Sequence, residues 1–158
     1  MTTTSEVTEE LGFAAALVRM SHLVQHVFAD VSRDHDITPQ QTQLLCILVG
    51  GPVGMTELSR LLHLERSSLT GLVDRVERRG LVSRVRDGRD RRACRVTLTD
   101  EGSRLAIESH RDVTGRLDTL AGELPDADRE RLASAVTRLL AQHDTAWISH
   151  SFGEPPLG

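Results

Sequence analysis

Apolar residues recur every three or four positions from Leu11 to Val31, at Phe13, Leu17, Met20, Val24, Val27, Phe28 and Val31. That spacing predicts a long amphipathic helix, and Ala14, Ala15, Val18 and Leu23 widen its stripe enough to touch neighbours on more than one side. Glu6, Glu9 and Glu10 place negative charge where a helix start favours it. The pattern stops near Asp34–Asp36 and restarts at once, with Thr38 as N-cap, Pro39 at the first helical position and Gln41 three residues after the cap. This second helix carries Leu44, Leu45, Ile47 and Leu48 and ends at Gly50-Gly51-Pro52. A third helix is predicted from about Thr56 to Leu62 and a fourth from about Ser67 to Arg79. The fourth has Leu69, Leu72, Val73 and Val76 on one face and Gly80 as its stop. Two short helices joined by His63-Leu64-Glu65 form a helix–turn–helix.

The period then changes from helical to two. Leu81–Arg86 and Cys94–Leu98 read as strands flanking a hairpin tip, Asp87-Gly88-Arg89-Asp90. In the second strand Cys94, Val96 and Leu98 alternate with Arg95 and Thr97, one face buried and one wet. Thr99 caps a fifth helix to about Ala121. Pro125, with Asp126 and Asp128, opens a sixth that runs through Leu132, Val136, Leu139 and Leu140 to about Ile148. The expected fold class is mainly α with a small β wing (α+β).

Charge sharpens this picture. Arg60 to Arg95 holds 11 of the 19 basic residues and five of the 23 acids, a local charge of +6; the remainder, with eight basic and 18 acidic residues, carries −10. Concentrated cations on a helix–turn–helix followed by an arginine-rich hairpin mark a surface for phosphate backbone. Every basic residue is Arg, whose planar fork suits phosphate and base edges. With no tyrosine and 3% aromatic residues, stacking of single-stranded bases is excluded as the main strategy. No run of 18 apolar residues spans a membrane, and the acidic first ten residues are unlike a signal peptide. Cys46 and Cys94, both in apolar stretches, read as reduced buried thiols of a cytoplasmic protein. No Gly-rich phosphate loop, nucleophile elbow or assembled metal set argues for an enzyme, and no cofactor is implied.

The run Glu65 to Val82, followed by Asp90-x-Arg92 and, five residues on, Leu98-Thr99-x-x-Gly102, resembles the recognition helix and wing signature of the MarR (multiple antibiotic resistance regulator) family of bacterial winged-helix repressors. The resemblance covers roughly residues 8 to 145. It implies a homodimer whose first, fifth and sixth helices intertwine, two winged lobes on palindromic DNA, and often a small ligand that weakens binding. On that reading residues 1–7 and 151–158 are flexible tails, 8–36 and 99–150 form the helical dimerisation region, and 37–98 form the winged helix–turn–helix lobe. Leu11, Phe13, Val136, Leu140, Trp147 and Ile148 are the apolar surplus a dimer would bury.

Residues opening a recognition helix face the major groove. Here they are Arg66, Ser67, Ser68, Thr70 and Gly71, with Asp74 and Arg75 a turn later. Arg75 is suited to a guanine edge, and Gly71 leaves room for close approach. Arg86, Arg89, Arg91 and Arg92 crowd the wing, where a narrow minor groove attracts Arg; Arg92, the Arg of the family-like signature, is the expected inserted residue. Arg84 and Arg95 could equally be wing contacts or a solvated cross-strand surface and are left out of the site, and Arg78 and Arg79 read as partners of Glu77 or as cover for the core. Arg19, His22 and His26 fall at i, i+3 and i+7 on the first helix, either as a cradle for a phenolic or other aromatic acid or as a solvent-facing polar strip. His22 and His26 also have the i, i+4 spacing of a zinc pair, which needs further ligands such as His110, His143 or His150. A zinc-responsive regulator of this fold and a winged helix that binds protein are the competing readings.

Overall fold

Thr38 and Gln41 close a reciprocal cap. Gln41 donates its backbone N–H to Thr38 Oγ1 and Thr38 donates its own to Gln41 Oε1, each at 3.2 Å. Two otherwise orphaned donors are thereby satisfied, and a helix starts at Pro39. In this computed structural model residues 11–86, 88 and 93–143 are described. They form α1 (Phe13–Asp34), α2 (Pro39–Leu48), β1 (Val53–Gly54), α3 (Met55–Leu61), α4 (Arg66–Arg78), β2 (Val82–Arg86), β3 (Cys94–Leu98), α5 (Asp100–Leu120) and α6 (Asp126–His143). The six expected helices and the two strands of the hairpin are all present. No helix among the described residues is long and apolar enough to cross a membrane.

The two-residue strand β1 is the departure from the sequence reading, which took Gly50-Gly51-Pro52 only as a helix end. Val53 pairs with Val96 and Gly54 with Arg95, giving an antiparallel sheet of order β1-β3-β2. Two residues are too few to show alternation. What makes them a strand is the free edge of β3, whose backbone groups would otherwise lack partners beside a fully buried Val96.

Two apolar clusters position the rest. The larger joins Leu44, Leu45 and Leu48 of α2 to Leu58 of α3, Leu69, Leu72, Val73 and Val76 of α4, Val53, Val82 and Val96 of the sheet, and Ala106 of α5. The smaller holds Val27, Phe28 and Val31 of α1 with Cys46 of α2 and Val113 of α5. Between α1 and α2, Ser32 donates its hydroxyl to the Phe28 carbonyl at 2.5 Å and lies 2.6 Å from Thr42 Oγ1, from which its oxygen can accept, so both buried hydroxyls have partners. At the far end of α1, Arg116 reaches Asp34 at 2.5 Å and His35 Nε2 reaches Asp112 at 2.7 Å. The hydrogen bond from Arg116 holds the Asp34 carboxyl below its ordinary range.

The family-like Leu98-Thr99-x-x-Gly102 segment proves to be a joint. Thr99 Oγ1 accepts the Gly102 N–H at 3.0 Å and donates to the Gly80 carbonyl at 2.6 Å, while Thr99 N–H donates to the Leu81 carbonyl at 3.0 Å. A Cβ on Gly102 would stand 1.7 Å from the Leu81 carbonyl oxygen, so only glycine lets α5 start this close to the end of α4.

By contrast α6 has no buried residue, and Leu132, Val136, Leu139 and Leu140 on it are 37–51% exposed. Trp147, Ile148 and His150, and the predicted tails 1–7 and 151–158, lie outside the described residues.

Candidate nucleic-acid interface and cleft

Helix α4 owes its orientation to four buried residues, Leu69, Leu72, Val73 and Val76, at i, i+3, i+4 and i+7. With that stripe locked into the larger core, the opposite face must point outward. Arg66, Ser67, Ser68, Thr70, Asp74 and Arg75 are all exposed there, and Gly71 is half-buried. The turn before α4 is fixed as well. His63 adopts φ +51°, Leu64 N–H donates to the Ser59 carbonyl at 3.0 Å, and the Ser59 hydroxyl donates back to the Leu64 carbonyl. Thr70 Oγ1 donates to the Arg66 carbonyl at 2.8 Å, so its oxygen can still accept as it stands but the hydroxyl must rotate to donate to a phosphate. A Cβ on Gly71 would sit 3.3 Å from Arg75 Nη1. Glycine at this position therefore leaves space for the Arg75 guanidinium as well as for any approaching ligand.

Arg86 ends β2, exposed and opposite Cys94. Arg89, Arg91 and Arg92 of the wing tip lie outside the described residues. Two readings of nearby arginines need correction. Arg84 is not a solvated cross-strand residue: its Nη2 bonds Asp74 Oδ1 at 2.6 Å and its Nη1 bonds Glu77. Partial burial opposes its charge, but the two carboxylates more than offset this and hold the guanidinium more firmly protonated than usual. Arg79 does not pair with Glu77; it donates to the Asp36 carbonyl at 2.8 Å. Arg78 Nε donates to the Asp74 carbonyl at 3.3 Å.

Cys94, expected in the wing's core, is half-buried beside Gly54, Thr56 and Arg66. Cys94 opens β3 at the wing end of the ladder, opposite the exposed Arg86 and two residues before the buried Val96, so it is only partly covered. Cys46 is buried, which pushes its thiol up to about 12.

A cleft of about 280 Å³ lies between α1, α2 and α3, lined by Val24, Gln25, Phe28, Gln43, Ile47, Leu61, Leu62 and His63. Arg19, His22 and His26 do not line it; all three are exposed. At 3.6 residues per turn their line is centred roughly 150° around α1 from Val24, Gln25 and Phe28. The side of α1 that carries Val24 and Phe28 turns to the lobe, and the line of Arg19, His22 and His26 turns away. Among the described residues no group of three His, Cys, Asp or Glu could hold a metal ion.

Comparison with known proteins now fixes the lineage. A sequence profile of the MarR family matches residues 35–93, from the α1–α2 turn to the wing. The HTH-type transcriptional regulator FarR of Neisseria gonorrhoeae is 30% identical over 105 residues, covering 66% of this chain and 72% of that protein. The chain belongs to the MarR family. The homoprotocatechuate degradative operon repressor of Escherichia coli is 33% identical over 91 residues, 57% of this chain and 62% of that one. The crystal structure of NadR in complex with 4-hydroxyphenylacetate superposes with a TM-score of 0.71 at 26% identity, covering 88% of this chain and 97% of NadR. This MarR-family protein is therefore a DNA-binding transcriptional regulator of the winged-helix kind, and its matched relatives are regulators rather than enzymes.

Proposed function

We propose that the protein is a cytoplasmic, homodimeric repressor that reads an inverted-repeat operator and leaves it when a small aromatic acid binds. The observation that carries this reading is the exposed polar and basic face of α4, fixed by its own buried stripe beside an arginine-rich wing. Arg66, Ser67, Ser68 and Thr70 contact backbone and base edges in the major groove, and Arg75 forks onto a guanine. Arg86, Arg89, Arg91 and Arg92 follow the wing into the minor groove, with Arg92 inserted. One lobe touches too few base pairs for useful selectivity; two, spaced by about 34–36 Å, read both half-sites. The exposed leucines of α6 and the exposed Phe13, Leu17 and Met20 of α1 supply the apolar surface for that pairing.

The effector is assigned to the α1–α2–α3 cleft rather than to Arg19, His22 and His26. One relative is named as the repressor of a homoprotocatechuate degradative operon, and NadR is solved in complex with 4-hydroxyphenylacetate, both phenolic acids. The cleft has the matching character, with Val24, Phe28, Ile47, Leu61 and Leu62 for a ring and Gln25, Gln43 and His63 for polar substituents. His63 sits in the turn that leads into α4, so a molecule against it bears on the reading helix directly.

Binding to duplexes selected from genomic fragments tests the proposal. Affinity should fall steeply with salt as phosphate contacts release counterions. Arg92→Ala should weaken all sequences alike and flatten the salt slope by about one. Arg75→Ala should cost roughly 1–3 kcal/mol of discrimination at one base pair. Unchanged affinity and selectivity in both variants would defeat the assignment.

A further inference from the structure

Arg84 stands opposite Val96 in the β2–β3 ladder, and cross-strand partners share a face of the sheet. Val82, two residues before it and buried, lies on that face too, and Val96 is fully buried. The guanidinium therefore sits on the side of the sheet that turns toward the helices, at the edge of the core, with 29% of its side chain exposed. Asp74 and Glu77 meet it from α4. Spaced i, i+3, they come from one turn of the helix, and one planar fork engages both.

Position along the strand makes this contact consequential. The base of the wing is held by Val82 and Val96 in the core and by the pairing of β1 with β3. After Arg84, β2 carries Val85, 48% exposed, and then the exposed Arg86. Among the described residues Arg84 is thus the last side chain of β2 anchored to a helix before the turn. The carboxylates also need an explanation. On the DNA-binding reading Asp74 and Glu77 lie on the helix that meets the duplex, where phosphates within a Debye length of about 8–10 Å would repel them. Free carboxylates there would weaken binding, whereas Arg84 cancels one of their two charges and so halves that cost.

We infer that Arg84 is a positioning residue: gripped by Asp74 and Glu77, it sets the angle of the wing against α4, so that helix and hairpin meet the duplex as one rigid piece. Asp74 then acts through Arg84 rather than by reading a base. The inference rests on the DNA-binding reading and adds to it the residues that join its two contact elements.

The sign of a charge-removing double substitution separates the clamp from plain electrostatics. Asp74→Asn with Glu77→Gln deletes two negative charges beside the DNA. If these were ordinary surface charges, every duplex would bind more tightly and operator preference would stay the same. With a clamp, non-specific binding rises while operator binding falls, and the ratio of operator to non-specific affinity drops at least about tenfold. Arg84→Met should produce the same loss of preference. Arg84→Lys, which keeps the charge but cannot fork, should restore it only in part. Melting temperatures should change little, because partly exposed ion pairs add little to global stability.

A second readout needs no DNA. Hydrogen exchange at Val85, Arg86, Cys94 and Arg95 should quicken at least about tenfold in Arg84→Met and in the Asn/Gln pair, with α2 and α5 unchanged. Should Arg84→Met fail to fold, Arg84→Lys and the Asn/Gln pair carry both measurements. Unchanged wing exchange in the folded variants would overturn the clamp, as would tighter operator binding with preference intact. If the exchange responds but the wild-type protein binds no duplex in dilute buffer, the clamp stands and the DNA-binding reading beneath it falls.

Discussion

A single hydrogen atom in place of a methyl group determines how α5 meets the lobe. Because a Cβ on Gly102 would overlap the Leu81 carbonyl at 1.7 Å, Gly102→Ala forces the start of α5 away from Thr99's bonds to Gly80 and Leu81. Backbone on backbone cannot relax as a flexible side chain does, so the cost is expected at the upper end of overpacking, about 2–3 kcal/mol. Chemical denaturation should show it as a lower midpoint at constant slope, and an unchanged midpoint would mean the joint is looser than drawn. The glycine was visible in the sequence as part of a family-like motif, but its reason was not, since Leu81 is far from it in local contact until the chain folds. The cysteines behave oppositely: both were expected to be buried, and only Cys46 is. At pH 8 a thiol reagent should label Cys94 in the native protein and reach Cys46 only on unfolding. Since Cys46 ionises near 12 when folded against 9.0 otherwise, the unfolded chain loses its proton first. Stability from this group is complete below pH 9 and is lost as pH rises from about 9 to 12. Equal labelling rates at the two thiols would contradict this ordering.

Elements with strong local signals were legible and those made by their neighbours were not. The Thr38 cap of α2 and the Thr99 cap of α5 occur as the residues specify, because both act within three residues. Strand β1 exists only because β3 offers it an edge, so nothing in Val53-Gly54 announces it. The i, i+3, i+7 spacing of Arg19, His22 and His26 suggests a cleft along that line of α1, yet packing puts Val24 and Phe28 toward α2, and Gln25 rather than His22 or His26 reaches the cleft. The outward face of α4 was read correctly from its apolar repeat, but the partnership of Asp74 with Arg84 required knowing where β2 returns. Gly71 on that face gives a test in which stability and function diverge. Gly71→Ala removes a helix-interior glycine and should stabilise the fold by about 0.5–1 kcal/mol. The added methyl meets only the movable Arg75 guanidinium, at 3.3 Å, which must shift from its place. Operator affinity, measured by titration beside the melting curve, is expected to fall while melting temperature rises. A variant both steadier and equally tight on DNA would show that neither Gly71 nor the resting position of Arg75 matters to reading.

At the scale of the molecule, charge and apolar surface are segregated. The Arg60–Arg95 segment carries +6 and the remainder −10, so a duplex is drawn to one side of the lobe and repelled from the rest. The acidic remainder contains the surface least suited to water: Leu132, Val136, Leu139 and Leu140 at i, i+4, i+7 and i+8 on α6, and Phe13, 70% exposed, at the start of α1. A helix of 18 residues with no buried side chain is marginal on its own, because most helical stability in proteins comes from packing an amphipathic face. The proposed second copy supplies that packing, which ties the folding of α6 to protein concentration. Melting temperature of the wild-type protein should therefore rise with concentration. Leu132→Glu combined with Leu139→Glu should yield a monomer in sedimentation, with α6 frayed and the larger core intact. Such a monomer keeps α4 and the wing, so its non-specific, salt-dependent binding survives. Its operator binding should drop to half-site strength, because the two lobes no longer share one association event. If the double variant sediments as a dimer and the wild-type melting point ignores concentration, the leucine stripe serves another partner and the two-lobed operator loses its physical basis.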